Sequence, residues 1–160
     1  MGAKSRDLAQ RLQAFADEVL GVVQGCSRED WGRRCASEDW SVGVTARHIA
    51  AGHFETLGLV KTLAAGGPLP QLTRAQIVAM ANDHAAEHAD CTPEEVAGLL
   101  RRNAADMAAY VAELEDGELD RKGFFAFIGV EMSLRQFLEA VILKSGAGHL
   151  ASIRAAIASG

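Results

Sequence analysis

The chain has 160 residues, of which 49% are hydrophobic, and it carries a formal net charge of −5 at pH 7. This length suits one domain with a proper core, and so high an apolar content excludes a disordered chain. The acidic balance excludes the basic surface that a phosphate backbone requires, so we expect no nucleic-acid partner.

Membrane insertion is not expected either. The apolar runs are short and are interrupted by glycine, histidine and charged residues, which does not suit a bilayer span. The N-terminus has no apolar signal core. The cysteines, Cys26, Cys35 and Cys91, are odd in number and lack CxxC spacing, which is typical of reduced thiols. We therefore expect a cytoplasmic protein without a membrane partner.

The first half of the chain predicts two long helices. Apolar residues at helical spacing predict the first over residues 5–24, and a loop with a short helical turn follows over residues 27–35, where Trp31 is expected to anchor in the core. The second helix is predicted over residues 41–65, and the Gly-Gly-Pro sequence at 66–68 ends it.

One face of the second predicted helix carries two polar side chains. His48 and Glu55 are seven residues apart, or two turns, so they are predicted to point the same way. Because of the same periodicity, His53 is predicted to point well away from that line.

A shorter helix is predicted over residues 73–89, and its polar end contains His84 and His88, followed by Cys91. The spacing of the two histidines suits zinc. The alternative, which we favour, is a solvated polar face, because Cys91 is expected to lie beyond the end of the helix. The next helix is predicted over residues 92–115, where Asn103 is expected to form an interhelical hydrogen bond.

The last helix is predicted over residues 132–159, after an irregular stretch at 117–131. That stretch is interpreted as a loop whose aromatic side chains plug one end of the molecule, with a short strand as the alternative. One face of the last helix is apolar except for Ser145 and His149, and both need partners if buried. Four long helices and one short helix, without convincing strands, predict a single all-α bundle domain over residues 1–160.

Two segments resemble a known family. Trp40-Ser41-Val42-Gly43 followed by His48, and the run from Gly148 to Arg154, resemble the DinB-like family, which includes YfiT-like metalloenzymes and the N-terminal domain of mycothiol-dependent maleylpyruvate isomerase. The resemblance covers nearly the whole chain. It implies an up-down-down-up four-helix bundle, a homodimer, a metal such as Zn²⁺ or Ni²⁺, and in several members a low-molecular-weight thiol such as mycothiol or bacillithiol.

The resemblance also implies a metal site. The family places one histidine on the second helix and a His or Glu followed by a His, one turn apart, on the last helix. Here these positions are His48, Ser145 and His149. A serine hydroxyl is a poor ligand for these metals, so the site is predicted to be degenerate. Glu55 is either a third ligand, an orienting partner of His48, a general base, or a solvated side chain at the rim.

Three functions follow from these residues. The first is a metal-dependent enzyme of the thiol-transferase or hydrolase type, with the metal held by His48 and His149 and with Glu55 or water completing its ligands. The second is a metal-free small-molecule binding module in which Ser145 lines a pocket. The third is a dimeric structural protein with a vestigial site. Ser145 favours the second and third, and the two histidines favour the first.

Overall fold

The structure, a computed structural model, describes residues 2–160. Its helices are α1 (Ala3–Gly25), α2 (Arg28–Gly32), α3 (Val42–Arg47), α4 (Leu57–Ala64), α5 (Arg74–Glu87), α6 (Pro93–Glu113), α7 (Asp116–Leu119), α8 (Leu134–Phe137) and α9 (Ser145–Ala158). Between α3 and α4 lie a π-helical segment, His48–His53, and a 3₁₀ turn, Phe54–Thr56. A second π-helical segment, Leu138–Lys144, joins α8 to α9. The strands are β1 (Arg34–Cys35), β2 (Trp40–Ser41), β3 (Lys122–Phe125) and β4 (Val130–Ser133).

Local sequence signals set where several helices begin. The Thr92 hydroxyl accepts from the backbone N–H of Glu95, while the Glu95 carboxylate accepts from the backbone N–H of Thr92, and Pro93 occupies the first turn. Ser133 and Gln136 form the same reciprocal pair before α8. Such pairs satisfy backbone donors that the first turn leaves free. They fix the helix starts within one or two residues of the sequence-based expectation.

The core lies between four helical segments: α1, the segment from α3 to α4, α6, and the segment from α8 to α9. Their inward positions carry large fully buried side chains, among them Leu12, Ile49, Phe54, Leu100, Met107, Phe137, Leu138 and Ile153. The prediction of an all-α bundle is therefore confirmed, and α5 is the additional short helix, with no buried residue.

In addition to its helices, the chain forms two short antiparallel hairpins. β1 pairs with β2, and β3 pairs with β4. The second hairpin occupies the stretch that was interpreted as a loop, so the strand alternative was correct. Only part of its aromatic cluster is inserted: Phe125 is buried and stacks on Phe137 with ring centroids 5.1 Å apart, whereas Phe124 is 51% exposed.

The two π-helical segments change which residues share a face. A π turn closes hydrogen bonds between residues five apart and so adds one residue to a turn. Every side chain that follows is rotated relative to the 3.6-residue period assumed for an α-helix. Asn103 of α6 donates to the carbonyl oxygen of Ala50 at 2.9 Å, as the expected interhelical bond, and it ties the first π-helical segment to the bundle.

Within residues 2–160, none of the helices is both long enough and apolar enough to span a membrane.

Candidate metal centre

Three histidines lie close together where the first π-helical segment packs against α9. His48 and His53 come from the first π-helical segment and His149 comes from α9. The ring centroids of His48 lie 5.0 Å from those of both His53 and His149, and the His53 and His149 centroids are 5.3 Å apart. One ring nitrogen from each residue can be chosen so that all three lie within 4.8 Å of one another. We call this group the histidine cluster.

The expectation that His53 points away from His48 was wrong. In an α-helix, residues five apart differ by about 140° around the axis. His48 and His53 are the first and last residues of a π-helical segment, in which residues five apart are linked by the helical hydrogen bond and return to nearly the same side. Hydrophobic periodicity could not reveal this, because it presumes the α-helical repeat.

The His53 ring is fixed by one contact and leaves one nitrogen available. Its Nδ1 lies 2.8 Å from the carbonyl oxygen of Val141. A carbonyl only accepts hydrogen bonds, so Nδ1 carries the proton and Nε2 holds a lone pair. The residue is 6% exposed, and the residues at positions 2–160 provide no hydrogen-bond partner for Nε2. A buried acceptor in this state is costly, so this nitrogen is available for a ligand.

A buried carboxylate faces His149. Its Nδ1 lies 3.8 Å from Oε1 of Glu38, whose side chain is 7% exposed. Glu38 belongs to the turn between β1 and β2, and its second oxygen is also buried without a hydrogen-bond partner among the described residues. A carboxylate behind one nitrogen of a metal-binding histidine orients the ring and leaves the other nitrogen free. Glu38 was not predicted as a site residue, because the hairpin that carries it was not predicted either.

Burial keeps the histidine cluster neutral. Burial, together with the neighbouring His53 and His149, lowers the pKa of His48 to about 3. Burial and His149 lower the pKa of His53 to about 4, although the Val141 carbonyl opposes this shift. Burial also lowers the pKa of His149, while Glu38 acts in the opposite direction. Neutral imidazole is the form that binds metals.

Gly52 makes room for the His48 ring. A Cβ atom at position 52 would lie 2.8 Å from Nδ1 of His48, which is closer than a side chain tolerates. The His48 ring also meets Trp40 edge-on, with ring centroids 5.1 Å apart. The ring therefore packs closely against both Gly52 and Trp40.

Two residues expected at the metal site, Ser145 and Glu55, have exposed side chains. The second π-helical segment ends immediately before Ser145 and shifts the inward face of the helix to Gly146, which is buried. A Cβ atom at position 146 would lie 2.8 Å from the Phe15 ring, so the close packing there requires glycine.

A cavity of about 280 Å³ adjoins the histidine cluster and lies between α3, the first π-helical segment and α5. His48 belongs to both the cluster and the cavity wall. The other lining residues are Trp40, Val44, Arg47, Ala51, Gly52, Thr56, Ile77, Met80, Ala81, His84, Ala85 and His88. Its volume lies near the lower end of the range for ligand pockets, roughly 300–1,000 Å³. Ser145 and Glu55 are not among the lining residues.

A second group of metal-type side chains lies on α5. One ligand atom each from His84, Glu87 and His88 lies within 4.8 Å of the others, on the surface of the helix. Cys91 is buried beyond the end of α5 and does not join them. The group is thus mostly solvated, as expected, although both histidines also reach the cavity rim.

The three cysteines are free thiols. Burial is the largest cause of a raised pKa at Cys26, Cys35 and Cys91. A thiol in this state is a weak nucleophile, so we interpret Cys35 and Cys91 as small buried side chains and Cys26 as a half-buried one, and none of them as a reactive group.

Comparison with known proteins gives one match. A family model described as the DinB superfamily matches residues 11–143, which is well over half of the chain. No curated protein and no solved structure matches. The matched range includes His48 and His53 and ends before His149.

Proposed function

The chain belongs to the DinB superfamily, and on that premise we propose that it holds one divalent transition-metal ion through His48, His53 and His149. The main support for this proposal is the state of Nε2 of His53. This buried nitrogen has a lone pair and no hydrogen-bond partner in residues 2–160. A metal ion at the centre of the histidine cluster would supply that partner.

The donor set suits such an ion. Three imidazoles with an open fourth position are typical of catalytic zinc sites, and imidazole also suits Ni²⁺. The family pattern lacks its third ligand at Ser145, and His53 provides a nitrogen donor from another position. The proposed site therefore has three protein ligands instead of the two that the sequence indicated.

The residues around the histidine cluster prepare it for this role. Val141 fixes the tautomer of His53, and Glu38 faces Nδ1 of His149. We propose Glu38 in place of the exposed Glu55 as the carboxylate that supports the site. Burial holds the imidazoles in the neutral form at neutral pH.

The proposed activity is that of a metal-dependent enzyme of the hydrolase or thiol-transferase type, acting on a small molecule in the cavity. A bound ion would act as a Lewis acid or lower the pKa of a bound water or thiol. The cavity would hold that molecule next to the ion, because His48 belongs to both the histidine cluster and the cavity wall. The homodimer and the cytoplasmic location stay predictions.

A metal-free binding module is the second candidate. The cavity itself favours it, since a largely apolar pocket with a few polar groups binds small molecules without any ion. The two candidates differ in one measurable property, which is metal affinity.

The test is elemental analysis of untagged protein, followed by calorimetric titration with Zn²⁺ and Ni²⁺. We expect one tightly bound ion per chain, and His53→Ala should weaken binding by at least about 100-fold, because it removes a ligand. His84→Ala is the matched control, because it removes an exposed histidine of the α5 group. It should leave the tight site unchanged. Wild-type affinity in His53→Ala, or no binding tighter than micromolar in the wild type, would overturn the proposal.

A further inference from the structure

Arg47 is the charged side chain of the cavity. It is the last residue of α3, it is half-buried, and it lines the cavity wall next to His48. The cavity lining contains no aspartate or glutamate. The guanidinium also forms no ion pair with a carboxylate anywhere in residues 2–160, whereas Arg11 and Arg154 on the surface are both paired.

The groups near Arg47 do not neutralise it. The Arg47 charge acts to lower the pKa of the Cys91 thiol, but burial raises this pKa by more. The thiol therefore stays uncharged at neutral pH. Asp90 and Glu95 also act on Cys91, but neither carboxylate reaches ion-pair distance of the guanidinium. A half-buried guanidinium without a counterion is a position at which an anionic ligand gains strong, charge-assisted hydrogen bonds.

The wall of the cavity formed by α5 is largely apolar. It contributes Ile77, Met80, Ala81 and Ala85 beside the two rim histidines, His84 and His88, and Val44 of α3 also lines the cavity. An apolar group placed there would leave water and bury surface, which is worth about 25 cal/mol per Å². The cavity therefore combines one cationic group with a hydrophobic wall in a volume of about 280 Å³.

We infer that the cavity binds a small organic acid with an apolar body and a single carboxylate. Its carboxylate pairs with Arg47, and its apolar part lies against α5. The volume limits the body to about the size of one aromatic ring or a short alkyl chain. The inference rests on the proposed function for the placement of this acid beside the metal-binding His48, but the Arg47 contact does not need the ion.

Calorimetric titration with three probes tests the inference, in protein treated with EDTA and in Zn²⁺-loaded protein. Benzoate has both features, benzamide has the same shape without the charge, and acetate has the charge without the ring. In both forms, we expect benzoate to bind at least about tenfold more tightly than benzamide, since a hydrogen bond to a charged group is worth about that factor. We expect at least about the same advantage over acetate, which has no ring to bury against the apolar wall. Equal affinities of benzoate and benzamide would overturn the inference.

Two variants assign the effect to Arg47. Arg47→Gln should weaken benzoate binding at least about tenfold and leave benzamide and Zn²⁺ binding unchanged, while Arg101→Gln, at an exposed position outside the cavity, should change nothing. If Arg47→Gln fails to fold by circular dichroism, Arg47→Lys keeps the charge and loses the planar fork, and should give a smaller loss. Unchanged benzoate affinity in the folded variant would contradict the inference.

The two proposals can fail separately. Zn²⁺ binding without benzoate binding in either form would overturn the acid site alone. Benzoate binding to EDTA-treated protein that takes up no Zn²⁺ would overturn the metal site alone.

Discussion

Nε2 of His53 and Oε2 of Glu38 are both buried without a hydrogen-bond partner in residues 2–160, and both belong to side chains around the same centre. Leaving such atoms unpaired costs about 1–3 kcal/mol each, and more for a charged group. Evolution tolerates that cost at functional sites, where a ligand supplies the missing contact. The individual residues thus indicate a binding centre more directly than the shape of the cavity does.

The carboxylate of Glu38 is expected to strengthen metal binding through His149. Glu38→Gln keeps the shape of the side chain but removes the charge that faces Nδ1 of His149. We expect Zn²⁺ affinity to fall by about 10–100-fold, the usual effect of losing the partner of a metal-binding histidine. Calorimetric titration measures it, with the exposed Glu29→Gln as the control. Equal affinities in Glu38→Gln and wild type would show that the carboxylate does not support the site.

The depressed pKa values of His48 and His53 predict how the metal-free protein responds to pH. Both groups are neutral when folded, with pKa values of about 3 and about 4, whereas the unfolded chain binds protons below about pH 6.5. The unfolded state therefore holds more protons in this window, and stability falls as pH falls. Each histidine contributes up to about 1.4 kcal/mol per pH unit, or about 2.7 kcal/mol for both.

Urea denaturation in EDTA between pH 6.5 and pH 5 measures this dependence, above the range where most carboxylates titrate. The reference is the double variant His48→Gln/His53→Gln, which should show a much flatter profile. Parallel profiles for the two proteins would mean that the histidines are not held neutral by the fold.

At the scale of elements, the π-helical segments decide the site. Capping residues such as Thr92 and Ser133 and the apolar repeat place the long helices from sequence alone, because both signals act within a few residues. The same repeat fails at His48–His53 and at Leu138–Lys144, where one added residue per turn moves His53 inward and Ser145 outward. No local signal in the sequence specifies a π turn, since its stability depends on packing against other helices.

A pair of glycine variants tests the first π-helical segment. Gly52→Ala would place a Cβ atom 2.8 Å from Nδ1 of His48, so the ring must turn and Zn²⁺ affinity should fall about tenfold or more. Gly58→Ala in α4 is the control, because a Cβ atom there meets nothing within 4 Å. It should raise the free energy of unfolding by about 0.5–1 kcal/mol without affecting metal binding. An unchanged Zn²⁺ affinity in Gly52→Ala would contradict the close fit of His48.

At the scale of the whole molecule, the fold brings together parts of the chain that the sequence cannot relate. The resemblance to the DinB-like family and the pattern of helices predicted the bundle and the meeting of His48 with His149. They did not predict that a two-stranded hairpin would deliver Glu38 to the same point, because β1 and β2 are only two residues long. Short strands of this kind form through tertiary contacts and have little local propensity of their own.

A crystal structure of the Zn²⁺-loaded protein, with anomalous data at the zinc edge, would show directly which side chains hold the ion. We expect one strong peak about 2.0–2.1 Å from a ring nitrogen of each of His48, His53 and His149, the usual zinc–nitrogen distance. A principal peak at His84 and His88, or a metal bound without His53, would contradict it.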